Sequence, residues 1–326
     1  MALSMTPPDT ADAFLAAHGW AGAAIEPLAG DASFRRYFRV RDGARRAVLM
    51  DAPPPHEDPR PFIDIASWLG ARGFRAPSII AADMTHGLVL IEDFGDARVR
   101  ETIDADPART ERLYADAIDI LVALRGQGAP TLRPYDRAEL HREANLLVEW
   151  YCPAVGIAAD VANYAAAWDA VFDEALAAEP VIVLRDYHAE NLMITDDGAL
   201  GLLDFQDALI GHPAYDLVSL LQDARRDVEP AIEAAMLARY CAATGEGAAF
   251  ERAYHILGAQ RNAKIIGIFT RLWKRDDKPR YPTLCPRVWG YLERDLAHPA
   301  LAPVRAWFDA TIPPEKRGDP MAIAAQ

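Results

Sequence analysis

Lysine is absent before Lys264, and Lys274, Lys278 and Lys316 complete the set. A polyanion bound by the earlier residues must be met by arginines, backbone amides or metal ions. Positive charge is scarce overall: the formal net charge is -14, which disfavours nucleic acid or an anionic membrane as a partner. Cysteine is sparse too. Cys152, Cys241 and Cys285 lie far apart and match no metal-ligand spacing, as expected of reduced structural thiols in a cytoplasmic protein. No stretch approaches the roughly 18 apolar residues of a membrane-spanning helix. The opening MALSMTPPDT lacks the basic start and apolar run of a signal peptide, so a cytoplasmic location is expected. Internal repeats and low-complexity tracts are absent.

What is present is an ordinary globular balance, 51% hydrophobic and 25% charged, over 326 residues. That length exceeds one small core and suggests two lobes. Residues 10–18 read as a short amphipathic helix. Residues 37–41 and 47–51 have strand character and join across Asp42-Gly43, a hairpin signal. Helical periodicity over 62–72 stops at Gly73, and apolar runs at 78–82 and 88–92 flank a Thr85-His86-Gly87 turn. Beyond Phe94 the pattern becomes helical and alanine-rich, over about 107–125, 137–150 and 160–178. Short apolar strands at 181–184, 192–195 and 200–203 interrupt it, the last two around Asp196-Asp197-Gly198. Helices resume to about residue 310, and the tail 318–326 is expected to fray. The fold class is therefore α+β, with a small antiparallel-sheet lobe over 1–93 and a larger, mostly helical lobe over 94–326.

The segment with chemical content is Leu184-Arg185-Asp186-Tyr187-His188-Ala189-Glu190-Asn191. Asp186 and Asn191 stand five residues apart on a loop between two strands, and Asp204 follows thirteen residues later at the end of another. Phosphoryl transfer needs these residue types: a carboxylate to accept the acceptor hydroxyl's proton, and oxygen ligands for magnesium. Magnesium keeps several waters and takes one or two protein ligands, so an Asp and an Asn suffice. Asp and Asn also form turns without any chemistry. The strand-loop-strand-turn-strand setting and the second aspartate favour catalysis.

These residues, with Gly211-His212-Pro213-Ala214-Tyr215-Asp216-Leu217, resemble the signature of the aminoglycoside phosphotransferase family of protein-kinase-like enzymes. The resemblance runs from the Gly30 loop to the C-terminal helices. It implies a two-lobed kinase fold with ATP in the cleft, Asp186 as catalytic base, Asn191 and Asp204 on Mg2+, Asp207 near the metals, and Asp216 holding the loop. The family's histidine two residues before the base is Leu184 here, and the strand Ala47-Val48-Leu49-Met50-Asp51 lacks the lysine that usually reaches the ATP phosphates. Its substitutes are sought in the loop around Ser33 and Phe34, with Arg36 or Arg35 as the phosphate fork. Glu92 and Phe94, in Ile91-Glu92-Asp93-Phe94, fit the hinge whose backbone meets adenine.

A run of cations in an otherwise acidic chain occupies 260–281, with Arg261, Lys264 and Arg271 at helical spacings. It reads either as a solvated face or as a pocket for an acceptor bearing a carboxylate, formed by Arg271, Arg275 and Lys278 with Trp273 or Tyr281 as a wall. Together with Asp31-Ala32-Ser33-Phe34-Arg35-Arg36-Tyr37-Phe38-Arg39 and Met50-Asp51-Ala52-Pro53-Pro54, this run resembles the bacterial N-acetylmuramate/N-acetylglucosamine anomeric kinases of cell-wall recycling. That resemblance implies phosphorylation of an amino sugar at C1, with His188 or Glu190 contacting sugar hydroxyls. The expected partners are ATP and a small-molecule sugar, acting on a monomer. The alternatives are a kinase for another alcohol or an antibiotic, and a nucleotide-binding regulator without turnover.

Overall fold

The computed structural model describes residues 6–28 and 34–325. These residues fall into two compact units: one up to Ala108 together with Glu190–Asp207, the other Arg109–Ala189 with Ala208 onward. The sequence reading put the division at residue 93. The excursion of 190–207 into the first unit has a local cause in main-chain hydrogen bonds. Ile194 N donates to Ala97 O at 2.7 Å and Leu202 N to Arg75 O at 2.7 Å, so this hairpin is tied to that unit's backbone.

The first unit is built on a five-stranded antiparallel sheet in the order β1-β2-β3-β5-β4. Its strands are β1 (Ala24–Pro27), β2 (Arg36–Asp42), β3 (Arg45–Asp51), β4 (Ile79–Asp83) and β5 (Leu88–Glu92). The Asp42-Gly43 hairpin forms as its chemistry directs, with Gly43 at φ 57° in a turn that needs a left-handed residue. The helix Arg60–Gly70 buries Phe62, Ile65, Ala66 and Leu69, the one-face spacing of an amphipathic helix. Phe38, Val40, Leu49, Leu88 and Leu90 from the sheet pack with Phe14, Leu15 and Trp20 from the first helix and its exit. β1 escaped the sequence reading because it is a four-residue edge strand with no alternation and a terminal proline. Of the later strands, β6 (Val181–Val183) belongs to the second unit, whereas β7 (Leu192–Ile194) pairs with β8 (Leu200–Leu202) in the first.

In the second unit β6 pairs antiparallel with β9 (Leu209–Gly211) beside a helical body. Its centre is the long helix Ala248–Asp276, in contact with the helices Val161–Ala175, Ala214–Leu221 and Cys285–Leu296. The expected helix 137–150 is an α-helix only over Arg137–Ala144 and becomes a π-helix over Leu147–Tyr151. Close packing accompanies that change. A Cβ added to Gly267 of the long helix would lie 2.3 Å from the Leu146 carbonyl carbon and 2.4 Å from its oxygen. The tail does not fray through Ala325. Asp319 caps a helix Pro320–Ala324, and Gly318 N donates to the buried Tyr151 hydroxyl at 2.9 Å. The proline at the first turn and the aspartate before it form a stop-and-cap pair that the sequence reading passed over.

Gly267→Ala is expected to lower the unfolding free energy by about 3 kcal/mol or more, because backbone must move to admit the methyl. Gly290→Ala, exposed on the helix Cys285–Leu296 with nothing within 4 Å, should raise it by about 0.5–1 kcal/mol. Urea unfolding of the two variants checks both signs, and a neutral Gly267→Ala would refute the close-contact account.

Candidate active site

The metal-type ligands lie in the first unit. A 3-10 turn Ala189–Asn191 leads into β7, and Leu203 N donates to Asn191 O at 3.0 Å, closing the base of the hairpin. Asn191 Nδ2 then reaches Asp204 Oδ2 at 3.2 Å, and Gln206 Nε2 donates to Asp204 Oδ1 at 2.7 Å. Asp204 has φ 59°, a left-handed conformation uncommon outside glycine, so its exposed carboxylate is aimed by strained backbone. Phe205 anchors that turn, buried and stacked on Phe62 with ring centres 5.1 Å apart. Asp207 follows, exposed. The donor set is hard oxygen. Among the described residues no group of three or more His, Cys, Asp or Glu residues is placed to hold a metal alone. A pair of oxygen ligands fits an ion that completes its shell with water and phosphate.

Around this pair stand residues of β2. Burial pushes Tyr37 up to about 12, against Arg35, with Asp204 and Glu57 adding to the rise. Arg36 Nε donates to Asp51 Oδ2 at 2.7 Å, and Asp51 is buried at the end of β3. Arg35 lies 3.5 Å from Glu57, and the exposed Phe34 stacks on His56. Ser33 is outside the described residues. Glu92 pairs with Arg75 at 3.0 Å and accepts from the Ser78 hydroxyl at 3.0 Å. Phe94 is buried against Gly201, where a Cβ would come within 2.6 Å of its ring. Glu190 is ion-paired with Arg100.

The second unit holds Asp186. Helix Ala214–Leu221 presents Asp216 and Ser219, three residues apart, to the backbone just before it. Leu184 N and Arg185 N donate to Asp216 at 2.6 and 2.8 Å, and the Ser219 hydroxyl donates to Arg185 O at 3.0 Å. Arg185 itself has φ 72°. Behind it, the buried Glu143 pairs with the Arg185 guanidinium and with Lys264 Nζ at 2.9 Å, and accepts from the Tyr135 hydroxyl. Burial raises the Glu143 carboxyl, but Lys264 and Arg185 outweigh it and hold the group at about 2. Burial likewise pulls Asp186 upward. The charges of Lys264, Arg261 and Arg185, with His188 alongside, overcome that and keep the carboxyl below its usual range. An ionised carboxylate there is acceptor-only, as a hydroxyl-directing base requires. Burial drives His188 down to about 4, and its Nε2 accepts from Arg225 Nη1 at 3.0 Å, so the neutral ring carries its proton on Nδ1.

The basic run divides. Arg261 and Lys264 turn inward to the loop carrying Asp186, whereas Arg271 starts about 10 Å further along the helix axis. Arg275 is exposed and pairs with Asp276 at 2.8 Å, and Lys278 lies just past the helix end. Arg271 is half-buried, its Nε without a hydrogen-bond partner among the described residues. Asp51, Tyr37, Glu143, Ser219 and Arg225 were missed by the sequence reading. The one signal available was a charged or hydroxylated residue at a position the periodicity buries.

A small antiparallel sheet, a hairpin carrying paired Asn and Asp ligands, and a helical body bearing a loop aspartate define a protein-kinase-like small-molecule kinase. The chain overlays a choline/ethanolamine kinase family protein from Mesorhizobium loti with a TM-score of 0.63 at 18% identity, covering 93% of this chain and 100% of that one. The sequence model of the phosphotransferase enzyme family (APH) matches residues 24–254, and the chain belongs to that family. It is 40% identical to an N-acetylmuramate/N-acetylglucosamine kinase of Caulobacter vibrioides, over 94% of this chain and 96% of the relative. It is 38% identical to one of Pseudomonas aeruginosa, over 88% and 89%. Among the described residues no helix is long and apolar enough to cross a membrane.

Glu143→Gln tests the charge cluster behind the loop. With a folded value of about 2 against an unfolded 4.5, the depressed carboxyl contributes about 3 kcal/mol above the unfolded value, lost as pH falls toward the folded one. Unfolding free energies from urea titrations of wild type and Glu143→Gln should differ by that amount at pH 7 and converge from about pH 5 downward. A gap independent of pH would refute the pairing.

Proposed function

We propose that the protein transfers the γ-phosphoryl group of ATP to the anomeric C1 hydroxyl of N-acetylmuramate or N-acetylglucosamine, giving the sugar 1-phosphate in cell-wall sugar recycling in the cytoplasm. The observation that carries this reading is the ionised Asp186 on its clamped turn, in a chain 40% identical along nearly its whole length to a kinase of that name. Asp186 orients the C1 hydroxyl and takes its proton late, when the oxygen's bond to phosphorus is forming. The Asn191 amide oxygen and the Asp204 carboxylate would hold Mg2+, with Asp207 nearby, and the ion supplies positive charge against the β- and γ-phosphates. In place of the missing lysine, Arg36, anchored on Asp51, or Arg35 beside Glu57 offers a guanidinium to the phosphates, with Ser33 close before them in sequence. The adenine edge falls to the backbone around Glu92 and Phe94.

On the acceptor side, the neutral His188 and Glu190 are the hydroxyl contacts. Arg271 suits the lactyl carboxylate of N-acetylmuramate, with Arg275 and Lys278 adding long-range charge. Burial and the neighbouring Arg275 pull Arg271's pKa down, and the charge of an anion beside it would oppose that pull.

ADP release should be measured with magnesium-ATP and a panel of free amino sugars, choline and an aminoglycoside. Phosphorus NMR of the product then locates the phosphate. Turnover with the two amino sugars and a C1 phosphomonoester is expected. Intact ATP binding with no acceptor consumed would instead mark a regulator. Asp186→Asn should lower kcat by about 10²–10⁴-fold and leave ATP affinity within a few-fold; a variant that keeps most of its rate would remove Asp186 from the role of base.

A further inference from the structure

Arg261 is a charged side chain in a place where charge is expensive. The residue is only 4% exposed, yet no carboxylate among the described residues lies within ion-pair distance of it. Its Nη1 has no hydrogen-bond partner among them either. A buried guanidinium without a carboxylate beside it is unfavourable. The surroundings show what the residue does. Its Nη2 donates to the Ser219 hydroxyl at 2.8 Å, and that hydroxyl donates onward to Arg185 O at 3.0 Å. The amide on the other side of Arg185 is held by Asp216 at 2.8 Å. Arg185 is therefore gripped at its N–H and at its C=O, in a left-handed conformation that a non-glycine residue adopts only when its neighbours force it. The next residue is Asp186. Arg261 is also among the charges acting on both Asp186 and Asp216.

We infer that Arg261 is a positioning residue for phosphoryl transfer, latching the strained turn at Arg185 through Ser219 and placing its own buried positive charge behind the catalytic loop. The inference rests on Asp186 being the base of the proposed reaction. Lys264, one helical turn on, shares the electrostatic part but not the latch, because its ammonium is bound to Glu143 and to the Tyr215 hydroxyl at 3.1 Å. The two cations of this helix face thus divide the work. Lys264 neutralises the carboxylate beneath the loop, and Arg261 locks the loop's backbone.

The test uses full-length Arg261→Met, Arg261→Lys and Ser219→Ala. Amide hydrogen exchange needs no acceptor and reads the latch directly. The Leu184 and Arg185 amides should exchange at least about tenfold faster in Arg261→Met and Ser219→Ala, with the helix Ala214–Leu221 otherwise protected as in wild type. In steady-state assays with N-acetylglucosamine, Arg261→Met should lower kcat by about 30-fold with KM for magnesium-ATP within threefold, and Arg261→Lys should recover most of the rate. A residue that merely fills the core would move melting temperature without this split and would not be rescued by lysine. Unchanged exchange at Leu184 and Arg185 in a folded variant, or parallel losses in kcat and ATP affinity, overturns the inference. Should Arg261→Met not fold, Ser219→Ala, which keeps the guanidinium, decides by the same exchange criterion. If wild type phosphorylates no sugar, the proposed function falls, while the exchange data still decide the latch.

Discussion

The turn at Arg185 is the constraint on which the loop carrying Asp186 depends. A non-glycine residue at φ 72° costs on the order of 1–3 kcal/mol, and such a conformation survives only where its surroundings over-determine it. Here Asp216 takes the Leu184 and Arg185 amides, Ser219 takes the Arg185 carbonyl, and Glu143 takes the guanidinium. Each of these groups comes from a helix: Arg137–Ala144 supplies Glu143, and Ala214–Leu221 supplies the other two. Packing of helices around Ala248–Asp276 is thereby converted into the direction of one carboxylate. The same device recurs in the sheet-bearing unit, where Asp204 sits at φ 59° and is stabilised by Gln206, Asn191 and the stack of Phe205 on Phe62. Asp186 thus follows, and Asp204 occupies, left-handed backbone.

Charge is arranged by the same economy of means. An acidic chain that must handle a polyphosphate cannot rely on a general positive field. Its buried and half-buried cations are instead local and directed: Lys264 and Arg185 around Glu143, Arg261 behind the loop, Arg39 between Asp93 and Asp96, Arg36 on Asp51. The absence of lysine from the sheet follows this pattern. A guanidinium offers a planar fork with donors to spare after one carboxylate has been met, whereas an ammonium engaged by a carboxylate has little directional capacity left. Arg36 meets Asp51 through Nε and Nη2 while its Nη1 donates to Thr6 O at 3.1 Å.

Much of this was legible in the sequence, and the limits are physical. The sheet strands β2 with β3 and β4 with β5 were placed within a residue or two because short apolar runs bounded by turn residues leave a mark. The hairpin β7–β8 was found from its two apolar runs and Asp196-Asp197-Gly198, but its membership in the sheet-bearing unit was not, since that rests on main-chain bonds to Arg75 and Ala97 that carry no side-chain signature. Asp186, Asn191 and Asp204 stood out through residue type and spacing. Glu143 and Ser219 did not, because one buried charge in an amphipathic helix and one serine in an apolar one look like ordinary variation until their partners are known.

The basic run at 260–281 illustrates the difference between composition and position. Read as a string, it offered one cationic face. In the structure the helix rotates its members apart, so Arg261 and Lys264 point inward, Arg271 is half-buried, and Arg275 is paired with Asp276 in solvent. An exposed pair such as the last contributes at most about 1 kcal/mol, while a buried guanidinium is retained only if something depends on it. Burial, more than charge count, therefore ranks these residues. It separates the half-buried and exposed end of the segment from its inward cations, of which Lys264 meets Glu143 and Arg261 meets Ser219 behind the loop that carries Asp186.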